Sequence, residues 1–223
     1  DAGVDGIAIS PNMPSDIVSL IDELSLSGVP VVTVSADVPE SQRLCYVGCD
    51  YYRAGRIAGD FMGKITGGTG KVAMLTFSDA LMTIQQRIIG FREGIGQYQN
   101  NDILGPFKLS RTGEEAYDFT TSLLAEEPSL SGIFVSYGIL DSVGQAVLDS
   151  GKQEQVKVIG YDLSSEIAAL MRNDAVDATI CQEPFNQGYY PMEILYRYLA
   201  EGKKPFRNIV NIKLEIVTKE NLA

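Results

Sequence analysis

The apolar residues of this chain fall into short, nearly unbroken runs, separated by stretches whose apolar residues recur at helical spacing. Gly6–Ser10, Val29–Val34, Leu44–Val47, Lys71–Thr76, Gly132–Ser136 and Val156–Ile159 read as strands covered on both faces. Ile17, Leu20, Ile21 and Leu24 predict an amphipathic helix with Ser15 or Asp16 in its first turn, running to about Ser27 and stopped by Gly28. The same spacing predicts helices from Asp50 through Ile65, over Thr83–Tyr98, Glu114–Ala125, Leu140–Leu148, about Glu166 to Arg172, and Gln187–Ala200. Shorter strand runs lie at Pro106–Ser110 and Ala178–Ile180, and Ile212–Val217 alternates in the manner of an edge or crossing strand.

A strand, a helix and a second apolar strand form a parallel βαβ unit, and that rhythm repeats along the chain. The expected class is α/β, doubly wound, with parallel sheets. There are too many units for one comfortable five-stranded sheet. Two similar lobes fit better, joined by short hinge strands because no low-complexity linker occurs. Ala54-Gly55 and Ala58-Gly59 place small residues four apart on one helix, which favours close packing. Gly67-Gly68-Thr69-Gly70 follows a helix, precedes a strand and lacks a Gly-Lys-Ser/Thr ending, so it reads as a helix stop rather than a phosphate loop.

Two strand ends deliver polar groups. Asp162 follows the run ending at Gly160, and Gln182 follows Ala178–Ile180 just before Pro184. In open α/β sheets ligands sit beyond the carboxyl ends of the strands. A carboxylate that accepts and an amide that both donates and accepts suit a neutral polyol, and Tyr161 could stack on an apolar sugar face. The plainer reading makes Asp162 a helix cap, beside Ser164 or Ser165, and Gln182 an exposed loop residue. Tyr51, Tyr137 and Tyr161 are the strand-end tyrosines with stacking faces to offer.

Composition narrows the chemistry. The 223 residues are 45% hydrophobic and 21% charged, as in a globular protein, and no apolar run approaches a membrane span. Net charge is −11 with scattered Lys and Arg, which disfavours nucleic acid and anionic membranes as partners of this chain. There is no histidine, so Ser-His-Asp and Cys-His catalysis and His-containing metal sites are excluded within it. No G-x-S-x-G elbow or metal-carboxylate cluster points to an enzyme. Cys45, Cys49 and Cys181 form no disulfide framework. Reduced thiols and the lack of a signal peptide lead to the expectation of a cytoplasmic protein, with a periplasmic or cell-surface lipoprotein as the alternative. Cys45 and Cys49 read as packed small residues more readily than as metal ligands.

Pro30–Met62, Gln85–Ile95, Val158–Asp162, Ala178–Pro184 and Glu215–Leu222, in this order and spacing, resemble the type I periplasmic-binding-protein superfamily. Within it the resemblance is to ribose-binding-like sugar receptors and to effector-binding domains of LacI-family regulators. It implies two α/β lobes joined by three crossings, near Cys49–Asp50, Gln182–Glu183 and about Asn211–Lys213. Lobe 1 is then 1–49 plus 183–211, lacking its first strand and helix, and lobe 2 is 50–182 plus 212–223. A small ligand, usually a sugar, is expected in the inter-lobe cleft, with hinge closure on binding. By position Arg87 resembles the cleft arginine, Asp162 the hydroxyl-binding aspartate and Gln182 the hinge glutamine. A solvated helix residue is the plainer reading of Arg87.

This chain departs from that pattern where such receptors carry Asp–Arg, showing Ser35–Ala36 with Asp37 later, and where they carry Asn–Asp, showing Tyr137–Gly138. Ser10 and Cys49 also make lobe 1 less polar. The expected ligand-binding set is Arg87, Asp162, Gln182, Tyr137, Tyr161, Ser35, Asp37 and Ser10, with no cofactor and no metal. The expected function is effector sensing in a LacI-family transcriptional regulator, homodimeric, with DNA bound only through an upstream helix-turn-helix. The alternative is the solute-binding protein of a sugar ABC transporter, with a permease as partner.

Overall fold

The computed structural model describes residues 3–11, 14–77 and 81–222. The chain forms two compact α/β units, and it passes from one to the other three times. Unit one comprises Asp1–Asp50 and Gln182–Lys213, and unit two comprises Tyr51–Cys181 and Leu214–Ala223.

In unit one, β1 (Ile7–Ile9), β2 (Val31–Val34), β3 (Cys45–Gly48) and β9 (Ile209–Asn211) form a parallel sheet in that order. Helix α1 (Pro14–Leu26) connects β1 to β2; Asn12 and the side chains of Ser15 and Asp16 lie outside the described residues. One buried cluster of unit one holds Ile21, Val31 and Val38, with Ile7, Ile9, Ile17, Val18 and Leu24 against them, and Val32, Cys45 and Val47 are buried as well. Helix α7 (Pro184–Glu201) packs on β2 and β3. It starts one turn earlier than its apolar spacing predicts, because Pro184 occupies the first turn, where a missing N–H is harmless.

In unit two the strand order is β10 (Glu215–Val217), β8 (Ala178–Cys181), β7 (Lys157–Tyr161), β6 (Leu130–Val135), β4 (Thr69–Thr76), β5 (Asn100–Lys108). Every pair is parallel except β10 with β8. Helices α2 (Tyr51–Ile65) and α3 (Met82–Ile95) supply one core layer, and α4 (Gly113–Glu126), α5 (Leu140–Asp149) and α6 (Ser165–Arg172) supply the other. Successive residues of a strand serve opposite layers. Val72 and Met74 join Phe91, Phe134 and Ile159, while Ala73 and Leu75 join Ile133, Val135 and Val158. This is why the strands read as continuous apolar runs. Phe91 and Phe134 stack with centroids 4.0 Å apart.

Helices α2 and α3 meet without side chains between them. A Cβ on Gly55 would lie 2.1 Å from the carbonyl oxygen of Arg87, and one on Gly90 would lie 2.0 Å from that of Tyr52. The small residues noted on α2 therefore bring α3 into backbone contact.

Two expectations are corrected. The last strand is shorter than Ile212–Val217, only β10 (Glu215–Val217) forming in unit two, and it is preceded by a strand not predicted from the sequence, β9 (Ile209–Asn211), in the sheet of unit one. β5 begins at Asn100 rather than Pro106, because parallel pairing to β4 from Thr69 onward overrides its weak apolar pattern.

Candidate functional site

Strands β4, β6 and β7 are parallel neighbours, so their carboxyl ends, at Thr76, Val135 and Tyr161, share one edge of unit two. Arg87 reaches that edge from α3. It lies on the buried stripe of the helix, with Ile84, Phe91 and Ile95, and is only 9% exposed. Its Nη1 donates to the carbonyl of Ser136 at 2.7 Å. The guanidinium carbon sits 3.8 Å from the centre of the Tyr161 ring and 5.1 Å from that of Tyr51. Arg87 is thus an oriented, partly desolvated cation, not the solvated helix residue of the plainer reading. Aromatic faces offset part of its desolvation by about 0.5–2 kcal/mol each.

Tyr161 supports this arginine. Its ring is 1% exposed, edge-on to Phe134 at 6.0 Å, with the guanidinium against it. The expected sugar-stacking face is therefore occupied, and that role is corrected. The next residue, Asp162, is exposed and has φ of 67°. Its N–H donates to Ile180 O at 3.1 Å, and its carbonyl accepts from the Thr179 hydroxyl. Asp162 does not cap α6, because Ser164 does so, accepting from Ile167 N at 3.2 Å.

Tyr137, after β6, is also buried. It packs against Phe77 at 4.9 Å and donates to Ser110 O at 2.9 Å. Burial first, then the negative charge of Glu115, pushes its phenol up to about 12. Arg111 lies over the other partner in this cluster, 4.8 Å from the centre of the Phe77 ring.

Unit one offers its own strand ends. Ser35, past β2, is half-buried and left-handed, with φ of 63°. Its N–H donates to Val47 O at 3.0 Å, and its carbonyl accepts from the Tyr46 hydroxyl at 2.8 Å. Ser10, past β1, is exposed. Gln182 is buried at the entrance to α7, and its carbonyl accepts from Gln187 Nε2 at 2.7 Å, so it is not the exposed loop residue of the plainer reading.

Asp37 departs from expectation. Its Oδ1 accepts from Thr33 Oγ1 at 2.8 Å, Val38 N at 2.9 Å and Arg43 Nε, and Oδ2 accepts from Arg43 Nη2 at 2.6 Å. A carboxylate so fully engaged organises the β2–β3 connection and does not replace the one lost at position 35 or 36.

The chemistry on offer is binding. Among the described residues no group of three or more His, Cys, Asp or Glu could hold a metal ion. Cys45, Cys49 and Cys181 form no disulfide. Burial pushes the Cys45 and Cys181 thiols up, and the charges of Asp162 and Glu215 add to the effect at Cys181. Thiolate nucleophiles are therefore disfavoured. Two supporting residues, Ser136 and Thr179, escaped the sequence reading, although each is a polar residue closing or interrupting an apolar strand run.

The family described as periplasmic binding protein domain matches residues 1–204. The xylose/arabinose-binding protein of Sulfolobus acidocaldarius is 23% identical over 99% of this chain and 58% of its own length. The ribose import binding protein of Bacillus subtilis is 26% identical over 96% of this chain and 69% of its own. The crystal structure of a glucose-galactose binding protein from Geobacillus stearothermophilus is similar with a TM-score of 0.89 at 26% identity, covering 99% of this chain and 79% of that one. This chain thus spans less than two thirds of the length of the first of these relatives. The expected cytoplasmic location is overturned by these relatives, among which proteins of Paraburkholderia graminis and Bacillus subtilis are named as import binding proteins, and such proteins meet their solute before it crosses the membrane. Cys45 and Cys49 misled that expectation: both are buried, and cysteines packed as small core residues carry no information on compartment. The chain belongs to the periplasmic binding protein domain family, of the type I, ribose-binding-like kind.

Proposed function

We propose that this chain binds a sugar reversibly, as the solute-binding protein of a sugar ABC importer, with a permease as its partner. The observation that carries the reading is Arg87, a guanidinium held at a sheet's carboxyl edge by Ser136 and the Tyr161 ring, one residue in sequence from the exposed carboxylate of Asp162. A fixed multiple donor beside an acceptor suits vicinal hydroxyls, and neither group needs to reorganise when the ligand arrives. In unit one, taken by itself, Ser35, Ser10 and the Gln182 amide are candidate hydroxyl partners.

The relatives support a transport receptor over a transcriptional regulator. Their names describe import and binding of pentoses and hexoses. The regulator reading therefore gives way to its alternative.

A thermal-shift series with D-ribose, D-xylose, D-arabinose, D-glucose and D-galactose tests this. At least one sugar is expected to raise the unfolding midpoint in a concentration-dependent manner. Replacing Asp162 with Ala is expected to weaken that sugar more than roughly ten-fold, the scale of a lost charge-assisted hydrogen bond, with the fold retained. Folded protein with no response to any of the five would sink the proposal.

A further inference from the structure

We infer that Thr179 is the positioning residue for Asp162, an inference that rests on the sugar-binding reading above and extends it to a residue remote from any ligand. Thr179 is the one polar residue in the run Ala178–Ile180 of β8 and is fully buried, at 0% exposed. Its register partners are Gly160 on β7 and Val217 on β10. Valine would be the ordinary residue here, since a hydroxyl without a partner is destabilising at such depth. The hydroxyl has a specific acceptor, the carbonyl of Asp162.

That carbonyl belongs to a residue with φ of 67°. A left-handed conformation is unfavourable for a residue with a Cβ, though Asp tolerates it better than most. It persists where surrounding contacts over-determine it. Here β8 holds the peptide from both sides: Ile180 O accepts the Asp162 N–H at 3.1 Å, and the Thr179 hydroxyl donates to the Asp162 carbonyl. The chain stops being a strand at this residue, although the inter-strand ladder reaches it. The next residues run into α6 instead, with Ser164 as cap. Both main-chain polar groups of Asp162 are thereby held by β8, so the direction in which its side chain leaves the backbone is set by the strand beneath it. Thr179 touches no ligand and acts by fixing that direction.

The test uses Thr179→Val, which keeps shape and removes the hydroxyl, and Thr179→Ser, which keeps the hydroxyl. The probe is whichever of the five sugars above binds wild type most tightly, measured by titration calorimetry. Thr179→Val is expected to weaken binding about five-fold or more, with the melting midpoint close to that of wild type, and Thr179→Ser to stay within about two-fold. In an Asp162→Ala background, Thr179→Val is expected to change the affinity no further, because its effect runs through the carboxylate. If Thr179→Val does not fold, Thr179→Ala against Thr179→Ser poses the same question without the γ-methyl. The inference is overturned if the hydroxyl-free variants bind as wild type, or if Thr179→Val weakens binding as much in the Asp162→Ala background as alone. A folded wild type that binds none of the five sugars, or an Asp162→Ala variant that binds as tightly as wild type, removes the binding reading itself and this inference with it.

Discussion

The two units follow one plan, a parallel sheet with helices, yet they solve burial differently. Unit two has core layers on both faces of its sheet, and its strand-end residues sit in fixed surroundings. Among the described residues of unit one, Ile21, Val31 and Val38 form one buried cluster, Val32, Cys45 and Val47 are buried beside it, and α7 carries an exposed apolar stripe. Phe185, Tyr189, Met192, Tyr196 and Leu199 recur at spacings of four and three residues on that helix, and each is at least 45% exposed. The contrast teaches where precision can be held. A buried arginine such as Arg87 needs neighbours that do not move, and the two core layers of unit two provide them. In unit one the strand-end turn depends instead on local devices, the Tyr46 hydroxyl on Ser35 and the Asp37–Arg43 pair.

The sharpest way to break this comparison is to damage the core of unit two. Phe134→Ala removes a ring that stacks on Phe91 and meets Tyr161. A loss of about 3–5 kcal/mol of stability is expected in urea unfolding. A loss below about 1 kcal/mol would mean that this layer is not tightly packed. Next in size, Arg87→Lys keeps the charge but loses the planar fork and the flat contact with Tyr161. Sugar affinity is expected to fall about ten-fold or more, because Lys and Arg are not equivalent at a stacked site. Equal affinity in the two proteins would show that charge alone is used.

A smaller effect should appear in alkali. The Tyr137 phenol has its folded value raised to about 12 from 10.0. The folded state then holds the proton more tightly than the unfolded state. This contribution to stability is present below about pH 10 and is lost as pH rises through 12. Tyr137→Phe cannot ionise, so its stability should fall less steeply between those values, at the cost of about 1 kcal/mol for the hydrogen bond to Ser110. An unchanged slope would place the titration elsewhere. The smallest effect is expected on α7. Phe185→Ser and Tyr196→Ser should each change stability by about 0.5 kcal/mol or less, as at other exposed positions. A loss of about 2 kcal/mol at either would show that the stripe is covered in solution.

Much of the fold was readable because burial on both faces leaves a mark on each strand by itself. Val72-Ala73-Met74-Leu75 is apolar throughout, since alternate residues enter different layers. Ala54-Gly55 and Ala58-Gly59 likewise announced the close contact of α2 with α3. The end of the chain was harder. Ile209–Asn211 and Glu215–Val217 are three-residue strands in different sheets, too short for a periodicity to separate them. At the candidate site, Asp162 was singled out as a polar residue at a strand end and Arg87 through motif resemblance, whereas the surroundings of Tyr161 and Asp37 were not legible. A tyrosine beside a carboxylate looks available until an arginine from another helix covers it, and Asp37 looks available until Arg43 is seen to turn back upon it.

The sequence by itself determined the alternation of strands and helices up to β8, the parallel pairing it implies and the absence of histidine-based chemistry. Each of these depends on local spacing or on composition. The tertiary structure alone decided which polar groups are already engaged. Arg87 meets Ser136 from 49 residues away, and Thr179 meets Asp162 from 17. Such partners are set by the order of strands across the sheet, and a hydroxyl or guanidinium in a linear sequence carries no mark of the carbonyl it will find.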